Sequence, residues 1–271
     1  MSEFPLPLPP GGAQTPRQSA GRWRTISALM LREMGTRYGR NPGGYVWAIL
    51  EPAGIVVVMA VVFDLVLRSP SLGTSFILFY ATGYLPYGLF QTLSRTVAQA
   101  LRYSRPLLTY PAVSWIDAVT ARALLNTLTG LFVSAVLFFG IITVLGLGVV
   151  PEAGVLLGAF GLAAVVGVGM GLVNCVLMGF FPVWDTIWGV LTRPLFLASG
   201  VLLIYEDLPR FVQDILWWNP LMHVTGLART AFYPIYNPQY LSIAYVLFTG
   251  LVLAALGLLM LRRHHRFILQ L

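Results

Sequence analysis

Residues Arg22–Gly54 read RWRTISALMLREMGTRYGRNPGGYVWAILEPAG, and their pattern decides what kind of protein this is. Trp23, Ile26, Met30, Met34 and Tyr38 recur at spacings of three and four, which places them on one face of a helix. Arg22, Arg32, Glu33, Thr36 and Arg40 point away from that stripe. Arg37 sits at its edge, where a long side chain lies along apolar surface and keeps its charge in water. Asn41-Pro42-Gly43-Gly44 breaks the helix, and a long apolar run begins at Tyr45. A basic amphipathic helix, a sharp break and an apolar run describe a segment that lies on a bilayer surface and then turns into it. Two roles fit it: an anchor that only sets topology, or a fence beside an entrance into a membrane pathway.

The rest of the chain agrees with a membrane setting. Of its 271 residues, 57% are hydrophobic and 10% charged, against roughly 25% charged in a soluble domain. Mean hydropathy is +0.78. The formal charge is +7, and all 17 basic residues are Arg. Basic charge in such a chain sets topology and meets anionic headgroups rather than nucleic acid. The one cysteine, Cys175, lies in an apolar run, so no disulfide forms within the chain. Residues 1–21 are rich in Pro, Gly and Ser and read as a disordered cytoplasmic tail. Residues 22–44 form the interface helix and its break, and 45–271 a membrane domain.

Six spans are expected in that domain, all helical. They run near Tyr45–Leu67, Phe76–Ala98, Val119–Leu145, Ala153–Phe181, Ile187–Tyr205 and Tyr240–Leu261. Arg is concentrated before the first span, between the second and third, and after the sixth. By the positive-inside rule both termini are then cytoplasmic. Residues 206–238 are too long for a simple loop and too polar to span. They read as two short helices, broken at Asn219-Pro220, that enter the outer leaflet and return. Non-helical backbone at that depth must be buried in protein or line water. His223 beside the break reads as a polar contact, because no second metal ligand sits at a suitable spacing.

Several residues stand out against this apolar background. Glu51-Pro52 lies about two turns into the first span, where a carboxylate is costly unless paired or watered. Arg193-Pro194 is its counterpart in the fifth span and a possible partner. Tyr80, Tyr84 and Tyr87 share one face of the second span, and Trp184 and Trp188 flank Asp185 at the start of the fifth. Such rings pack, or form an interfacial belt, or wall a pathway by stacking on sugar rings. The connection from Arg95 to Asp117 carries an apolar knot of Leu107, Leu108 and Tyr110, the mark of a partner surface, and Asp117 and Arg122 open the third span. The Gly-rich run Gly167-Val-Gly169-Met-Gly171 lies in an apolar helix with no preceding strand. It reads as close helix packing, and Asn174 as an interhelical hydrogen bond.

Much chemistry is excluded. No H-E-x-x-H, G-x-S-x-G or clustered carboxylates occur, and no metal site is expected. A P-loop needs its Lys on the phosphates, and this chain has no Lys. If the chain serves active transport, the energy comes from an ion couple or a separate ATPase. Ionisable residues at mid-membrane in several spans and internal repeats, the marks of proton-coupled carriers, are missing. A membrane-embedded glycan enzyme is the alternative from another class, and only Glu206, Asp207 and Asp214 would serve it.

Three stretches carry a family resemblance: LREMGTRYGRNPGGYVWAILEPAG (Leu31–Gly54), LLTYPAVSWIDAVTARALLNTL (Leu107–Leu128) and ILWWNPLMHVTGLARTAFY (Ile215–Tyr233). In this order they resemble the permease subunits of capsular-polysaccharide ABC exporters of the type-2 superfamily. O-antigen exporters share the architecture, but DAVTARAL (Asp117–Leu124) is closer to the capsule branch. The resemblance implies a homodimer joined to two copies of an ATPase that binds ATP and Mg, with no cofactor in this chain. It implies an ATPase-coupling region of Leu107, Leu108, Tyr110, Asp117 and Arg122, an entrance helix edged by Arg32, Arg37 and Arg40, and a periplasmic re-entrant pair. The substrate it implies is a lipid-linked acidic polysaccharide, passed from a Gram-negative inner membrane to periplasmic and outer-membrane proteins. Small-molecule or lipid export within the same superfamily is the nearest alternative.

Overall fold

The computed structural model describes residues 18–38, 43–67, 69–108 and 113–270, and all regular structure among them is helical. In chain order the helices are α1 (Gln18–Tyr38), α2 (Gly44–Asp64), α3 (Phe76–Ala98), α4 (Ala100–Ser104), α5 (Trp115–Val144), α6 (Ala153–Phe180), α7 (Trp184–Ala198), α8 (Arg210–Leu216), α9 (Pro220–Thr230) and α10 (Ile243–Gln270). A 3-10 turn at Tyr205–Asp207 precedes α8. Tyr110 and Arg40 lie outside the described residues, as does the side chain of Arg37.

Helix starts follow local chemistry. Ser114 and Asp117 form a capping box at α5: the Ser114 hydroxyl accepts from the Ile116 amide at 3.3 Å, and the Asp117 carboxylate accepts from the Ser114 amide at 3.1 Å. Two orphan donors of the first turn are thereby satisfied. This cap starts the helix at Trp115, a turn before the expected Val119. At α9, Asn219 caps the Leu221 amide at 3.0 Å and Pro220 occupies the first turn, where its missing N–H costs nothing.

Four helical stretches are long and apolar enough to cross a membrane: Val46–Asp64, Trp115–Val144, Ala153–Phe180 and Ile243–His265. Helix α3 is long but sits inside the bundle, with most of its residues buried. It therefore carries Tyr, Thr and Gly rather than a lipid-facing run. The expected fifth span is not one continuous helix. Helix α7 has 15 residues, about 22 Å at 1.5 Å each, and ends before Gly200, whose φ of 68° lies in the left-handed region. Residues 201–204 then run without helix.

Helix α6 is the hub, packed on α3 along one side and on α10 along the other. Its glycines make this possible. A Cβ on Gly171 would lie 2.7 Å from Val97 Cβ of α3, and one on Gly169 would lie 2.6 Å from the Gly250 carbonyl oxygen of α10. Small residues of this kind let helix backbones approach closely. The main core joins α3, α5, α6 and α9, including Leu85, Phe90, Phe138, Phe160 and Phe232. Smaller clusters close each end, one around Val97, Leu101 and Leu172, the other around Phe76, Phe79 and Tyr80.

Candidate functional site: a cavity between three helices

A cavity of about 590 Å³ lies between α2, α3 and α5. Helix α2 contributes Trp47 and Glu51, α3 contributes Tyr84, Gln91 and Arg95, and α5 contributes Asn126 and Ser134. Its wall combines two aromatic rings, one carboxylate, one guanidinium, amides and hydroxyls with apolar residues such as Ile55, Leu85, Leu89 and Val133. Charged and amide side chains are costly against lipid, which sets this lining apart from the apolar outer faces of the helices. Pro52 also lines it and lies within α2.

The expected pathway residues part company here. Glu51 and Tyr84 line the cavity. Tyr87 is buried and donates from its hydroxyl to the Thr192 carbonyl at 2.8 Å, with its ring edge-on to Phe196 at 5.3 Å. It fastens α7 to α3. The Trp184 indole N–H donates to Asn174 Oδ1 at 2.9 Å, tying α7 to α6 as expected of Asn174. Trp188 is buried in the main core. Tyr80 is buried at the far end, surrounded by Phe63, Phe76 and Phe79, and so packs away from the cavity. Arg193 is exposed on α7. It does not pair with Glu51 within the chain: the ion pairs among the described residues are Arg22–Asp117 and Arg122–Glu33.

The residues near the expected coupling region form a tight polar cluster. Arg122 Nε donates to both Glu33 carboxylate oxygens, at 3.0 and 3.1 Å, and Nη1 donates to the Thr96 carbonyl at 2.9 Å. Its guanidinium stacks on Tyr103, 4.2 Å from the ring centroid. Asp117 accepts from Arg22 Nε at 3.4 Å. Arg32 is exposed and lies 6.0 Å from the Tyr103 ring. Two expectations need correction. Glu33 is buried against α5 rather than turned away from the protein, because Arg122 neutralises it there. On the apolar stripe, Ile26 is buried within the protein while Trp23 stands 66% exposed on its surface. Leu107 and Leu108 are half-buried rather than an exposed knot, since their amides turn back onto the Ser104 carbonyl and Leu108 packs on the Val97–Leu101 cluster.

At the opposite end, the break at Asn219-Pro220 is a bolted joint. Asn219 Nδ2 donates to the Ala198 carbonyl at 2.9 Å, capping the end of α7 as its oxygen caps α9. His223 bridges the Trp217 carbonyl at Nε2, 2.8 Å, and accepts the Ser242 amide at Nδ1, 3.2 Å. It is a strut between α8, α9 and α10, and no group of three metal-ligating side chains occurs among the described residues. Sequence reasoning missed Arg229. It is 1% exposed, donates to the Val201 and Leu203 carbonyls at 3.1 Å each, and stacks 4.3 Å from the Phe79 ring centroid. Buried backbone outside a helix needs such partners, and Arg229 supplies them to the unwound stretch after α7. Its one signal was an Arg in the last turn of a short helix otherwise free of charge.

A helical bundle with four helices long and apolar enough to cross a membrane, and a partly polar cavity between α2, α3 and α5, fits a membrane protein of the transport class. The chain belongs to the ABC-2 type transporter family, whose sequence profile matches residues 24–233. It is 30% identical to the polysialic acid transport protein KpsM of Escherichia coli over 238 residues, 88% of this chain and 92% of that protein. It is 29% identical to the capsule polysaccharide export inner-membrane protein BexB of Haemophilus influenzae, covering 93% and 96%. The capsule polysaccharide export inner-membrane protein CtrC of Neisseria meningitidis serogroup A is 28% identical, covering 89% and 91%.

Proposed function

We propose that this chain is the membrane-spanning subunit of an ATP-driven exporter that moves a lipid-linked capsular polysaccharide across the bacterial inner membrane. The observation that carries this reading is the similarity, over 88–93% of the chain, to proteins named for polysialic acid transport and capsule polysaccharide export. The cavity suits such a cargo. Trp47 and Tyr84 offer faces for the CH faces of sugars, while Glu51, Gln91, Asn126 and Ser134 offer partners for sugar hydroxyls. Arg95 adds a positive charge for an acidic polymer.

The rest of the machine follows from this reading. Without a Lys for a P-loop, ATP and Mg belong to a separate ATPase, present in two copies, which meets residues 99–114. Helices α2, α3, α5, α6, α7 and α10 are the six spans, with α8 and α9 as the periplasmic re-entrant pair and both termini cytoplasmic. Arg193 on the uncovered side of α7 turns toward a second copy of the chain rather than lipid, where an Arg costs several kcal/mol. Periplasmic and outer-membrane proteins receive the polymer. The test is deletion and complementation in the native host, with the complex purified in parallel. Surface polysaccharide disappears, polymer accumulates inside, and a P-loop ATPase copurifies. Unchanged surface polysaccharide, or ATP hydrolysis by the isolated chain, would refute the reading.

A further inference from the structure

We infer that Arg122 is a rigid joint through which the segment facing the ATPase moves the interface helix α1 and the wall of the cavity together. This rests on the reading of residues 99–114 as the ATPase-facing segment. One guanidinium holds four elements. It starts on α5, gives one Nε–H to both carboxylate oxygens of Glu33 on α1, takes the Thr96 carbonyl near the end of α3 with Nη1, and stacks on Tyr103 of α4. The Tyr103 hydroxyl in turn shares a hydrogen bond with Thr36 of α1, and Arg22–Asp117 ties α1 to α5 a second time.

The joint also reaches the cavity. Thr96 and Asn126 line it: the guanidinium holds the Thr96 carbonyl directly, and Asn126 sits one turn along α5 from Arg122, its Nδ2 donating to the Arg122 backbone carbonyl at 2.8 Å. The side chains of Arg122 and Glu33 are 9% and 5% exposed. A buried ion pair is a poor way to gain stability, since apolar residues of similar size do as well. What a planar, multidentate guanidinium supplies is a fixed relative orientation of the groups it holds. Separating the pair would leave a bare buried charge, so α1 follows α4 and α5 when they move. A stroke delivered to residues 99–114 therefore shifts α1, the end of α3 and the cavity wall as one body.

The test is Glu33→Gln, and separately the double variant Glu33→Gln with Arg122→Met, which leaves no lone buried ion. Each is purified with its ATPase and reconstituted in proteoliposomes with polysaccharide substrate. Bound ATPase per permease stays at the wild-type ratio, ATP hydrolysis stays within twofold, and export per complex falls tenfold or more. Export within twofold of wild type in both variants overturns the joint. So does a fall of hydrolysis in parallel with export, or a loss of export that tracks lost ATPase binding. If the wild-type permease binds no ATPase, the proposed function itself fails and the joint with it. Bound ATPase with intact export in both variants overturns the joint alone.

Discussion

The seam between α6 and α10 allows one substitution to be tested with opposite expected signs on a single helix. A Cβ on Gly169 would stand 2.6 Å from the Gly250 carbonyl oxygen and 3.0 Å from the Ala254 amide nitrogen, where ordinary contact begins at 3.4 Å. Both neighbours are backbone atoms, so no side chain swings aside. The facing helix offers no slack either: a Cβ on Gly257 would meet Leu172 Cβ at 2.5 Å. Gly169→Ala therefore pushes the two helices apart by about 0.8 Å, a gap at which neighbouring atoms lose a quarter to a half of their dispersion attraction. Overpacking of this kind costs about 1–3 kcal/mol. Gly161 lies on the same helix with nothing within 4 Å of its would-be Cβ. Gly161→Ala relieves only the flexibility of glycine and gains about 0.4–1 kcal/mol. The two variants differ by about 1.4–4 kcal/mol, and at roughly 2–4 °C per kcal/mol their melting temperatures differ on the order of 3–16 °C. Thermal unfolding in detergent, followed by fluorescence of the seven Trp, measures this. If Gly169→Ala melts as high as Gly161→Ala, the seam is not glycine-limited and the packing argument is wrong.

Three further outcomes follow from particular contacts. Tyr84→Ala lowers export per inserted permease several-fold with little change in protein level, whereas Tyr80→Ala, cut from a buried aromatic cluster, costs about 3–5 kcal/mol and lowers the protein level itself; quantitative blotting beside an export assay separates the two. Asn219→Ala removes both the α9 cap and the bond to Ala198 and lowers stability by about 1–2 kcal/mol, read as a drop in melting temperature. Gly83→Ala places a Cβ 3.0 Å from the Val201 backbone and 3.2 Å from Arg229 Nη2; it destabilises by about 1–3 kcal/mol, and native hydrogen exchange shows faster opening at residues 201–204.

The functional class was legible from short-range chemistry. The absence of Lys removes the P-loop, the apolar runs demand helices, and the order of the three motif stretches matches the family found across residues 24–233. The Gly-rich run reads as close packing from its composition, and α6 sits between two helices at backbone contact. The cavity was half legible. Glu51 and Tyr84 stood out as polar or aromatic residues in apolar runs, but Trp47, Gln91 and Asn126 became wall residues only when α2, α3 and α5 met.

The segment that runs from α1 into α2 shows where that boundary falls. Its sequence by itself determined an amphipathic helix, a break and an apolar run, because helical period and proline chemistry act within a few residues. Which face of α1 turns inward was decided elsewhere. Glu33 is acidic, and a water-facing side is the default for a lone carboxylate. Burying it becomes favourable only because Arg122, 89 residues away, arrives with a positive charge and an Nε–H that both carboxylate oxygens share. Arg229 and the unwound stretch after α7 follow the same logic: a buried charge and unpaired carbonyls are each unfavourable, and tertiary structure brings them together so that both terminal guanidinium nitrogens bond the Val201 and Leu203 carbonyls.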